Sequence, residues 1–103
     1  MDSRYIYHKI LRVVEYFVEN AVHLTINELR NYNPSIAELA QDVRKLAVIM
    51  KALSEIGYDD EAMETNAKQC ILELELLADI VGRGDEEALN ASFQRLEMYA
   101  HAP

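Results

Sequence analysis

From Met63 to Val81 the apolar residues fall at Met63, Ala67, Cys70, Leu74, Leu77 and Val81, in steps of four and three with no Gly or Pro between them. That spacing places all six on one face of an α-helix, which a strand with its period of two cannot do. One local pattern competes: Leu72-Glu73-Leu74-Glu75-Leu76 alternates as a strand would. The longer period prevails because it covers the whole stretch and no partner strand is evident.

The rest of the chain reads the same way. Asp2 or Ser3 can cap a first helix, whose apolar row is Ile6, Ile10, Val13, Phe17, Ala21 and Leu24. Thr25 and Glu28 form a capping box, so helix one either breaks there and restarts to about Asn31 or runs through. Asn31-Tyr32-Asn33-Pro34 is a loop. Ser35 and Glu38 make a second capping box before Ile36, Leu39, Val43, Leu46, Met50 and Leu53, and Gly57 follows as a stop. Asp59 or Asp60 caps the helix that runs to Gly82-Arg83-Gly84. Asp85 caps a last, shorter helix with Leu89, Ser92 or Phe93, Leu96 and Tyr99 inward. These signals predict an all-α protein: an antiparallel helical bundle of three long helices plus a short C-terminal helix, one domain over residues 1–103.

Helix one carries more apolar surface than one core stripe needs, because Leu11, Val14, Val18 and Val22 form a second row beside the first. Such a helix is either central to its bundle or shared with a second subunit. The second option makes Val14 and Val18 candidate contacts of a homodimer. Beside the rows lies a strip of Tyr5, Tyr7, His8, Arg12, Tyr16 and Glu19. Tyr and Arg are enriched where proteins bind one another, so Tyr5, Arg12 and Tyr16 are candidate partner contacts.

Charge divides the chain unevenly. Residues 1–53 hold 7 basic and 6 acidic side chains, whereas residues 54–103 hold 3 basic and 12 acidic ones. The densest run is Glu55, Asp59, Asp60, Glu61 and Glu64; Glu73, Glu75 and Asp79 extend it. Acids at helix starts favour the helix dipole. The same run makes a candidate docking face for a basic partner, for example a nucleic-acid-binding protein. A net charge of −8 argues against a direct grip on nucleic acid.

Motifs for chemistry are scarce. There is no His-Glu-x-x-His, Cys-x-x-Cys, Gly-x-Ser-x-Gly or glycine-rich phosphate loop. Glu15 with Glu19 and Glu75 with Asp79 are carboxylate pairs on polar faces, and no cofactor or metal is expected. Arg95-Leu-Glu-Met-Tyr-Ala-His101 resembles the Arg-x(4–6)-His motif of HEPN-type ribonucleases, small helical bundles that often dimerise. The resemblance implies that Arg95 stabilises phosphate charge and His101 is the acid–base group. The lone Cys70 in an apolar stretch, the lack of a signal pattern in Met1-Asp2-Ser3-Arg4-Tyr5, and the lack of any run near the ~18 apolar residues of a membrane span lead to the expectation of a cytoplasmic protein. The main expectation is a non-enzymatic protein-binding module, an acidic regulator, inhibitor or adaptor that masks a partner's surface. An HEPN-like ribonuclease and a structural subunit or export chaperone are the alternatives.

Overall fold

The computed structural model describes residues 2–56 and 61–102. Among the described residues there are five helices and no strand: α1 (Ser3–Ala21), α2 (Ile26–Arg30), α3 (Ile36–Ile56), α4 (Glu61–Arg83) and α5 (Glu86–Ala100). The all-α bundle is what the apolar periods predict, with α2 as a separate short turn.

The caps explain the boundaries. The Asp2 carboxylate accepts the Tyr5 amide at 3.0 Å, opening α1. Thr25 and Glu28 complete a reciprocal box, with the Glu28 amide donating to the Thr25 hydroxyl at 3.2 Å and the Thr25 amide donating to the Glu28 carboxylate at 3.1 Å. Helix one therefore breaks after Ala21 and restarts at Ile26. Ser35 accepts the Glu38 amide at 3.2 Å, and Asp85 accepts the Ala88 amide at 3.1 Å. Gly57, Asp59 and Asp60 lie outside the described residues.

The end of α4 is stopped by Gly84, which takes a φ of 75° that side chains disfavour. The Asp85 amide donates to the Ile80 carbonyl at 3.3 Å, and the Gly84 amide is shared between the Val81 and Ile80 carbonyls at 3.3 and 3.0 Å, closing a Schellman turn. Arg30 fastens α2 to this turn. Its Nε donates to the Val81 carbonyl at 3.1 Å and its Nη2 to the Gly82 carbonyl at 3.4 Å.

Neighbouring helices run antiparallel where the contacts define it. Lys51 near the end of α3 meets Glu64 near the start of α4, and Arg44 pairs with Glu75 midway. In the α4–α5 hairpin, Glu73 faces Ser92 and Arg95, while Asn66 reaches the Tyr99 carbonyl. Helix α1 packs against α3, α4 and α5 at once. That position explains its wide apolar surface. Leu11, Val14 and Val18 are buried within the single chain, Val14 completely, and of that row Val22 alone is exposed. Helix one is central to the bundle, so Val14 and Val18 are core residues and not the surface contacts of a dimer.

The alternating stretch in α4 is helical, and its polarity is reversed at three positions. Glu73 is buried, whereas Leu72 and Leu76 point to solvent. Glu73 therefore leaves the acidic strip in which its sequence neighbours suggested it belonged.

Candidate functional site

A groove of about 540 Å³ runs along the outer side of α1. Its base is apolar: Phe17 is buried, and Val13 and Leu39 are half-buried. The loop before α3 closes one side with Tyr32 and Pro34. Tyr32 is held by an edge-to-face contact with Phe17, with ring centroids 5.7 Å apart at 86°. The rim is aromatic and cationic. Tyr5 and Tyr16 are 57% and 69% exposed, and His8, Lys9 and Arg12 lie between them. Tyr5 and Tyr16 are separated by three turns of helix, about 16 Å along the axis.

Three of the residues singled out in the sequence, Tyr5, Arg12 and Tyr16, thus come together at one groove. Tyr7 does not. It turns inward, and its hydroxyl oxygen accepts from Asn66 Nδ2 at 2.9 Å. Lys9, Tyr32, Pro34 and Leu39 belong to the groove and were missed by sequence reasoning. The available signal was an aromatic residue in the otherwise polar Asn31-Tyr32-Asn33-Pro34 loop.

The acidic run is less uniform than its sequence implies. Glu55 and Glu61 are exposed and Glu64 is half-buried. Glu64 stands 3.6 Å from the Lys51 ammonium, and Arg44, Lys51 and Lys68 share a shallow depression with Glu61 and Glu64. Cations from α3 therefore interleave with the acids of α4. Glu75 pairs with Arg44, and Asp79 lies 3.4 Å from Arg83. Among the described residues, no three His, Cys, Asp or Glu side chains are gathered to hold a metal ion.

Arg95 and His101 do not converge. Arg95 is bound to the buried Glu73 on α4, and this hydrogen bond raises its guanidinium above the ordinary value. His101 ends α5 with its Nε2 3.9 Å from a Glu15 carboxylate oxygen on α1. An arginine already neutralised by a carboxylate is poorly placed to stabilise phosphate charge. Cys70 is buried, and burial pushes its thiol up to about 11, which disfavours the reactive thiolate. No helix among the described residues is long and apolar enough to cross a membrane. Comparison with protein-family models, curated proteins and solved structures finds no match to this chain.

Proposed function

We propose that this chain is a non-enzymatic protein-binding module, a regulator, inhibitor or adaptor, and that α1 carries its contact surface. One observation carries the reading: two tyrosines more than half exposed stand over an apolar groove with an arginine and a lysine between them. Exposed tyrosine and arginine around an apolar base are the side chains that dominate binding energy between proteins. The acidic second half acts at longer range in this reading. Its excess of carboxylates repels nucleic acid and orients a charged partner on approach. Self-association is a separate matter, since the row that suggested it is occupied inside the bundle.

The test is affinity capture from a lysate of the source cells with three baits: the wild type, Tyr16→Ala, and Glu61→Lys. A stoichiometric protein held by the wild type and by Glu61→Lys, and released by Tyr16→Ala, is the expected result. Equal capture by Tyr16→Ala would move the contact surface off α1. Recovery of the bait alone would remove the protein-binding reading.

A further inference from the structure

We infer that the α1 groove takes an acidic, apolar-anchored segment of a partner protein, a short stretch in which carboxylates flank an aliphatic or aromatic side chain. The inference deepens the protein-binding reading and rests on it. It specifies a partner opposite in charge to the basic one suggested by the acidic half of the sequence.

The first argument is a charge mismatch. The chain has 18 acidic side chains and 10 basic ones, so carboxylates are in excess. Arg44, Lys45, Lys51, Arg83 and Arg95 each stand within 4.0 Å of a carboxylate oxygen, and Arg30 is held by carbonyls. Lys9 and Arg12 have no side-chain hydrogen bond or ion pair among the described residues. They sit three residues apart on the same exposed side of α1, where like charges repel. No carboxylate is among the described residues that line their groove. A carboxylate brought by a ligand would relieve that repulsion, and the Arg12 guanidinium can grip it through two parallel hydrogen bonds.

Shape supplies the second argument. The base formed by Val13, Phe17 and Leu39 suits an apolar anchor, and the tyrosine rims bury its flanks. The groove follows α1 for about 16 Å, roughly three helical turns. That length matches a peptide segment laid along the helix. A nucleic acid would also meet Lys9 and Arg12, but it carries a charge on every nucleotide against a molecule of net charge −8 and brings no aliphatic anchor for the apolar base.

The experiment is selection from a displayed library of random peptides of about 12 residues, a length that covers the groove. The selected peptide is then measured by fluorescence anisotropy. Enrichment of Asp and Glu around Leu, Phe or Trp is expected. Lys9→Glu/Arg12→Glu should weaken binding at least about tenfold, since like charges brought together oppose association. Tyr16→Ala should weaken it as well, and rising salt should weaken the wild-type complex. Lys68→Glu reverses another unpaired cation, one that lies outside the groove, and should leave affinity unchanged. Circular dichroism confirms that each variant folds, as exposed and unpaired positions should allow.

Neutral or basic peptides, or acidic peptides indifferent to the groove variants, would overturn the inference and leave the protein-binding reading intact. Failure of both the selection and the lysate capture would remove both. Sedimentation as a dimer that Lys9→Glu/Arg12→Glu dissociates would assign the groove to a second copy and overturn the inference. Anisotropy with a labelled oligonucleotide that binds in place of every peptide would overturn it too.

Discussion

Arg95 on α5 grips Glu73 on α4 with both arms of the carboxylate: Nε lies 2.6 Å from one oxygen and Nη2 lies 3.1 Å from the other. The second oxygen also accepts from the Ser92 hydroxyl at 2.8 Å. The pair is asymmetric, because the Glu73 side chain is 7% exposed and that of Arg95 is 40% exposed. Removing one partner of a buried pair costs about 3–5 kcal/mol when a charge is left stranded. Arg95→Ala strands the buried carboxylate and should fall near the lower end of that range. Glu73→Ala leaves an arginine that can turn to water and a buried Ser92 hydroxyl, so it should cost less, about 1–3 kcal/mol. Urea denaturation of both variants checks the order. The hydrogen bond to Glu73 raises the Arg95 guanidinium above its ordinary value, so the arginine keeps its charge throughout the neutral and moderately alkaline range.

Asn66 should act as a clip between three helices. Its Nδ2 donates to the Tyr7 hydroxyl oxygen on α1 and to the Tyr99 carbonyl on α5, both at 2.9 Å. Asn66→Leu is expected to cost about 1–2 kcal/mol, the effect of losing partly buried hydrogen bonds. In a domain of this size that corresponds to a fall in Tm of roughly 5–15 °C. Tyr7→Phe removes one of the two bonds and should show a smaller fall. Equal melting of Asn66→Leu and wild type would show that the clip contributes nothing.

The fold was legible because its signals are local. Ser35, Thr25 and Asp85 each cap the helix that their spacing announced. The 4-3 row of α4 is buried from Met63 to Val81. What could not be read depends on contacts between distant segments. Nothing beside Glu73 in the chain marks it as inward, because its burial is made possible by Arg95 and Ser92, about twenty positions later. The two rows of α1 were visible, but whether the second met another helix or another molecule depends on how α3, α4 and α5 surround it. The groove was half legible. Tyr5, Arg12 and Tyr16 share a helix face, whereas Tyr32 and Pro34 reach it only through the path of a loop.

Cys70 makes stability depend on alkaline pH. Its thiol is raised from the ordinary value of 9.0 to about 11 by burial. Below pH 9 the folded and unfolded thiols are both protonated, and stability is independent of this group. Between about 9 and 11 the unfolded thiol ionises and the folded one does not, so stability is lost as pH rises. The test is a comparison of two proteins that differ in this group alone. Cys70→Ala should show a shallower loss of stability across that interval than the wild type. At neutral pH the wild-type thiol should resist a thiol-modifying reagent until the protein is unfolded.

Val14 and Tyr16 lie two positions apart on α1 and separate its two roles. Val14 is 0% exposed and Tyr16 is 69% exposed. Val14→Asp would place a carboxylate in the buried centre of the bundle, where α3, α4 and α5 pack around the helix. Desolvating an unpaired charge exceeds what a small domain can absorb, so a loss of at least about 4 kcal/mol and an unfolded chain are expected. Tyr16→Ala removes a ring that lies mostly in water and should change stability by no more than about 0.5 kcal/mol. Thermal melts followed by circular dichroism decide this. A folded Val14→Asp protein sedimenting at half the mass of the wild type would restore the second row as a subunit interface. An unfolded Val14→Asp beside a folded Tyr16→Ala that has lost its partner would divide α1 into an inner face that holds the bundle together and an outer face that binds.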